Sequence, residues 1–432
     1  MPSADLLISN IGQLVTCGSA DGRAKYGASL LDAGMILNGA IAIVDGKFIA
    51  VGAMEEVEGE FSAALKIDAE GRVVTPGFVD PHTHIVYAGE RLNEFELKIK
   101  GAEYLEILAA GGGIVSTVKN TREASEDELA EGALERLDKM LACGTTTVEV
   151  KTGYGLEPAS ELKMLRVIER LDLEHSIDIV PTFLAAHTVP PEFKGNTDAY
   201  VNLICSEMLQ TAWAWYKSSH FASKGTSFFC DVFTEKNAFD RGQTVRILEA
   251  ARELGFDIKA HVDQFTNLGG SQLAIEMNAA SIDHLDVISG AEIELLAESD
   301  TIGVVIPTEN FSGGKTVFAN ARRMIDAGCA IAISTDFNPG SAPCPSMPMA
   351  MAIATRYQKL LPSEALNAAT INAAHAIGMG KTCGSIEVGK KADLLIFDCT
   401  DHRQIAYEFG GNLVASVLKA GRSLNPGARN RS

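Results

Sequence analysis

The residues that could do the most chemistry are histidines. The chain has nine of them, and Pro81-His82-Thr83-His84 sets two of them two positions apart. In an extended chain residues two apart point to the same side, so both imidazoles can share one metal ion. His187, His261 and His284 each end a short apolar run, and Ser334-Thr335-Asp336 ends another with a carboxylate. A lone His or Asp at a strand end is usually a hydrogen-bonded structural residue, and a single His-x-His is as readily a surface accident as a ligand pair. Several such groups on strand termini that share one mouth shift that balance. Three imidazoles and a carboxylate with an open position for water form a catalytic metal site, not a closed structural one. Nitrogen and oxygen donors without thiolate suit zinc, iron or manganese, and spacing does not choose between them.

The elements that must position these groups alternate along the middle of the chain. Eight apolar runs end in polar or charged residues: 77–80, 146–151, 177–186, 228–233, 256–261, 280–284, 302–306 and 330–334. Amphipathic stretches follow them. In 126–142, Leu129, Ala133, Leu137, Met140 and Leu141 make one apolar face, Ser125 and Glu128 a capping box, and Cys143-Gly144 the stop. Eight strand–helix alternations over this length predict a (β/α)₈ TIM barrel, whose active site lies at the C-terminal ends of its strands. An open doubly wound sheet is the alternative. Gly111-Gly112-Gly113 lacks dinucleotide-binding spacing and reads as a loop. The first 76 residues read as short strands with an Asp45-Gly46 hairpin turn, and Ala392–Asp398 and Val414–Leu418 repeat that texture. The expected organisation is a small β-sandwich domain built from both termini (1–76 and 385–432) around a catalytic barrel (77–384).

Composition bounds what the protein can be. Its 432 residues are 46% apolar and carry 37 basic against 56 acidic side chains, a net charge of −19. That apolar content supports a large core and excludes an unfolded acidic chain. The acidic surplus disfavours nucleic acid and anionic membrane as partners. Eight scattered cysteines without a Cys-x-x-Cys pair fit reduced thiols. The Met-Pro-Ser-Ala-Asp start resembles no signal peptide, and no run of 18 apolar residues suggests a span, so a cytoplasmic protein is expected.

The chain resembles the amidohydrolase superfamily of metal-dependent hydrolases. The resemblance rests on Pro76-Gly77-Phe78-Val79-Asp80-Pro81-His82-Thr83-His84, on the His of the fifth strand, the His of the sixth, the Asp of the eighth, and on the tail 384–393. A closer likeness, to members that open an imidazolone ring in histidine degradation, rests on Ala88-Gly89-Glu90-Arg91, 111–118, 150–156, Ala186-His187, His261-Val262-Asp263-Gln264 and 336–340. The resemblance implies that His82, His84, His261 and Asp336 hold one metal ion, zinc or iron. It implies that Arg91 meets the carboxylate of 4-imidazolone-5-propanoate, that Tyr154, His187 and Gln264 contact the ring or its product, and that Asn338, Gly340 and Ser341 line the facing wall. The plain alternative for Arg91 is an ion pair with Glu90 or Glu94. For Tyr154 it is packing on the barrel rim, although its glycine neighbours argue for a turn with close approach.

The implied reaction is hydrolysis of the cyclic amide to N-formimidoyl-L-glutamate. Asp336 would carry the proton from water to the leaving nitrogen, and His284 would stabilise the oxyanion. Gln264, where some relatives carry Glu, cannot relay a proton. Lys151 falls on the second strand, not the fourth that supplies a bridging lysine in binuclear relatives, so it reads as a structural partner of Glu149 in a mononuclear site. A rival within the superfamily is a guanine-type deaminase, which needs a different side-chain pocket. The resemblance also implies a homodimer. Because the substrate is an anion and the chain carries −19, the global field opposes its approach, so affinity must come from the metal and Arg91. The 213–221 stretch, with both tryptophans, reads as a helix outside the barrel or a subunit contact.

Overall fold

A computed structural model describes residues 2–101 and 112–424. Gly111, in the triple-glycine stretch, and the last eight residues lie outside the described part. Five strands open the chain: β1 (Ser3–Val15), β2 (Met35–Val44), β3 (Lys47–Ala53), β4 (Ser62–Asp68) and β5 (Val73–Pro76). Eight short ones follow: β6 (Phe78–Asp80), β7 (Thr145–Lys151), β8 (Asp178–Ala186), β9 (Phe229–Thr234), β10 (Asp257–Val262), β11 (Ser281–His284), β12 (Ile302–Val305) and β13 (Ile331–Ile333). The described chain closes with β14 (Leu394–Phe397), β15 (Val414–Lys419) and β16 (Arg422–Leu424).

Strands β6 to β13 form one sheet in chain order with every neighbouring pair parallel, the (β/α)₈ barrel expected from the alternation. Strands β12 and β13, buried at every position, are runs of apolar residues because both faces are covered. Among the described residues no strand pairing joins β6 to β13, each only three residues long. The bridge Thr83–Phe337 and the bond from the His84 N–H to Phe337 O (3.0 Å) join the chain just beyond them. The buried Asp80 carboxylate adds to this by accepting from the hydroxyls of Ser334 and Thr335. Burial pushes that carboxyl up to about 6 in spite of these donors.

The remaining strands make a second sheet, in order β16-β15-β14-β5-β1-β2-β3 with β4 on β1. Its N-terminal and C-terminal strands therefore pair directly, through antiparallel β14 and β5. Asp45 and Gly46, both with positive φ, turn β2 into β3 as the Asp-Gly signal predicts. Lys47 bridges back to Lys391, so the sheet folds over itself around Ile8, Ile41, Phe48, Leu394, Ile396 and Leu418. Between β1 and β2 the chain leaves this sheet, and Cys17, Leu30 and Ala33 join the barrel core. Asn367 and Asn372 hold that excursion by bonding the backbone of Leu30, Asp32 and Lys25.

The capping box at Ser125 and the helix Glu126–Ala142 form as read. Trp213 and Trp215 sit on the helix Leu209–Ser218, outside the barrel. Trp215 donates to Glu169 (3.0 Å), while Trp213 packs on Tyr216 and Phe256 and closely over Gly255, where a Cβ would stand 2.7 Å from the indole. All eight cysteines are free. Among the described residues no helix is long and apolar enough to cross a membrane.

Candidate active site

The strand ends bring the predicted groups together. His82 and His84 follow β6, with their Nε2 atoms 3.2 Å apart. One Asp336 oxygen lies 3.4 Å from His84 Nε2 and 3.7 Å from His82 Nε2. His261, on β10, packs its ring 4.3 Å from that of His82, and one nitrogen from each of the three histidines falls within 4.8 Å of the others. Donors bound to one ion at roughly 2.0–2.2 Å stand about 3–3.5 Å apart, so the spacing suits a shared cation. Burial holds His82 and His84 well below the ordinary imidazole value, which keeps them neutral with a lone pair to give. His261 Nε2 is buried and takes no hydrogen bond. Three buried imidazole nitrogens that converge beside a carboxylate fit a metal ion.

Below this cluster lies a layer of buried charge of which the sequence shows only the Lys151–Glu149 pair, as a structural contact. Lys151 contacts Glu149 (2.7 Å) and Asp231 (2.8 Å), and Lys259 contacts Glu149 (3.0 Å) and the Pro81 carbonyl (2.7 Å). Asp283 stands 2.6 Å from His82 Nδ1, and Asp231 2.9 Å from His261 Nδ1. A signal for these residues existed. Two of them, Asp231 and Lys259, sit two positions before Phe233 and His261, which the period-two rule places on the same inward face one layer down.

Above the cluster one cavity of about 120 Å³ is lined by His84, Arg91, Tyr154, His187, His261, Gln264, His284, Asp336, Asn338 and Ser341, with Ile114 and Phe233. The resemblance named all but the last two. His82 lies behind His84, and Gly340 lies against Arg91. The ion pair weighed as the alternative for Arg91 is present: its Nε and Nη2 donate to Glu94 at 2.7 and 2.6 Å, and Glu94 also accepts from the Gly113 N–H. Arg91 nonetheless lines the cavity, its Nη1 passing over Gly340, where a Cβ would stand 1.9 Å away.

Two loops complete the wall. Tyr154 is buried on the turn 152–156, where Glu161 accepts the N–H groups of Gly153, Gly155 and Leu156 at 2.8–3.2 Å. Gly153 has φ +106, and its carbonyl lies 3.1 Å from His187 Nδ1; the close approach expected of the glycines is real. His187 stacks on His84 at 4.9 Å, and burial lowers it to about 3, so it is neutral. The Asn338 side chain is used within its own loop: its oxygen accepts from Gly340 and Ser341 N–H (2.8 Å each) and its amide donates to the Asp336 carbonyl (2.7 Å). It shapes the wall more than it reaches into the cavity. Burial also lowers His284 strongly and raises the Asp336 carboxyl well above the usual carboxylate range. Both residues have positive φ, a strained turn that aims each side chain back over the barrel mouth.

Residues 245–424 and 66–109 each match an amidohydrolase family profile. Over 98% of its length the chain is 51% identical to the imidazolonepropionase of Chloroflexus aggregans, covering 99% of that protein, and 49% identical to that of Herpetosiphon aurantiacus, covering 97%. Among solved structures, an adenosine deaminase from Xanthomonas campestris with bound zinc superposes with a TM-score of 0.70 at 20% identity over 98% of this chain and 93% of that one, a likeness of fold.

Proposed function

The chain belongs to the imidazolonepropionase family of amidohydrolases, and from that premise we propose how its residues carry the hydrolysis of 4-imidazolone-5-propanoate to N-formimidoyl-L-glutamate. His82, His84, His261 and Asp336 hold one metal ion, zinc or iron. The bound ion supplies Lewis acidity and lets water act as a nucleophile at neutral pH.

The protein's own residues do the rest. Arg91 receives the propionate through the edge that Glu94 leaves free, that of Nη1, so the grip is narrower than a guanidinium with both edges open. Tyr154, His187 and Gln264 hold the ring in register. Asp336 accepts a proton from water at its carboxylate and returns it to the ring nitrogen as the amide bond breaks. His284, kept neutral by burial, offers a ring N–H to the developing oxyanion. Gln264 orients and moves no proton.

The observation that carries this reading is that one small cavity is lined both by Arg91 and by His84, His261 and Asp336. The test is direct. Metal-loaded protein should remove the ultraviolet absorbance of the imidazolone ring, and a His82→Ala/His84→Ala variant should not. The same reading makes the protein a cytoplasmic homodimer with a small anionic substrate and neither nucleic-acid nor membrane partners. Sedimentation at micromolar concentration should give twice the chain mass.

A further inference from the structure

The buried charge under the metal cluster takes no part in the proton transfers above, yet Glu149, Lys151, Asp231, Lys259 and Asp283 have no exposed surface at all. Stability alone does not account for such a layer, because well-packed apolar residues of the same volume often serve a core as well or better. Its upward contacts do account for it. Of the three carboxylates, two meet an imidazole: Asp283 Oδ2 lies 2.6 Å from His82 Nδ1, and Asp231 Oδ2 lies 2.9 Å from His261 Nδ1. Glu149 meets none and bridges the two lysines.

Each aspartate is itself fixed. The other oxygen of Asp231 accepts the His261 backbone N–H (3.1 Å), and Lys151 sits 2.8 Å from its imidazole-facing oxygen. Asp283 accepts the Ser281 hydroxyl (2.6 Å), with both lysine ammonium groups 3.7 Å away. His84 differs within the same cluster: its carboxylate contact is at Nε2, to Asp336, and its ring stacks on His187.

We propose that Asp231 and Asp283 are positioning residues of the metal centre: each receives the Nδ1 proton of a ligand histidine, so the Nε2 lone pairs of His261 and His82 point at the ion. Lys151 and Lys259 hold the two carboxylates in place. A ligand imidazole whose far nitrogen donates to a carboxylate is fixed in tautomer and orientation and is a stronger donor to the metal. The proposal rests on the ligand set given under the proposed function.

The experiment measures metal affinity of the apoprotein by competition with a chromophoric chelator, for wild type, Asp231→Asn, Asp283→Asn and Glu161→Gln. The last alters an equally buried carboxylate of the same mouth that touches no ligand histidine. The two aspartate variants should bind zinc about 10- to 100-fold more weakly, with Glu161→Gln within about twofold of wild type, the level of no effect. In parallel, long-range proton–nitrogen NMR of wild-type protein labelled at histidine should show His82 and His261 as Nδ1–H tautomers, a readout that does not depend on any variant folding. Wild-type affinity in both aspartate variants, or an Nε2–H tautomer at either histidine, would overturn the positioning role alone. A wild-type protein that binds no metal would overturn the ligand assignment beneath it.

Discussion

Replacing Gly340 by alanine isolates what holds the substrate's carboxylate. The new Cβ would stand 1.9 Å from Arg91 Nη1 and 2.4 Å from Cζ. Comfortable contact begins near 3.5 Å, so the guanidinium must retreat by roughly 1.5 Å. It is not free to do so, because its Nε and Nη2 are pinned to Glu94 at 2.7 and 2.6 Å. The loop is no freer, since Asn338 accepts the N–H groups of Gly340 and Ser341. Something charged must give, and a hydrogen bond to a charged group is worth about 1.5–3 kcal/mol. If the substrate contact carries that loss, KM rises roughly 10- to 150-fold. The His82–His84–His261–Asp336 cluster is untouched, so kcat should change far less. Steady-state rates on the propanoate and on its neutral propanamide analogue check this, with thermal melts to confirm folding. An unchanged KM in a folded variant, or equal rises for both compounds, would refute the reasoning.

Asp336→Asn should abolish turnover, and near-normal rates in variant protein with full metal occupancy would remove the proton-carrying role. Glu161→Ala leaves three buried N–H groups without their acceptor and should destabilise the fold by about 3 kcal/mol, read from chemical denaturation. Removing the metal with a chelator should lower the melting temperature, and re-addition at about 100 times Kd should restore about 2.7 kcal/mol of stability. His375 is partly buried and, through desolvation first, held at about 4, below its unfolded value near 6.5. The folded state therefore binds fewer protons, and the contribution is present above pH 6.5 and lost as pH falls toward 4. Allowing for its partial exposure, wild type should lose about 2 kcal/mol more over that window than His375→Gln.

Much of this architecture is legible along the chain because fully buried parallel strands are written locally. Short apolar runs mark β12 and β13, and polar residues just beyond such runs, as Ser334-Thr335-Asp336 after β13, mark the mouth. His82, His84, His261 and Asp336 were visible for that reason. Beyond the Lys151–Glu149 pair the ion layer was not, because its other pairings run across the barrel: Lys151 to Asp231 spans 80 residues, and His82 to Asp283 spans 201. A charged residue inside a strand does not announce its partner. Asn338 shows a different limit, since its type and position suit a ligand contact equally well whether its amide faces the cavity or, as here, its own turn. Gly340 was read as part of a wall, and only the path of Arg91 across it shows why no side chain fits.

Under the proposed mechanism this mouth opens a cyclic amide at one metal ion. The most direct measurement incubates protein of known metal content with 4-imidazolone-5-propanoate and identifies the products by NMR, with ammonia assayed alongside. The expected result is one N-formimidoyl-L-glutamate per substrate consumed, no ammonia, and loss of activity when the ion is removed. Metal-loaded protein that leaves this substrate intact but releases ammonia from a heterocycle such as guanine would contradict it.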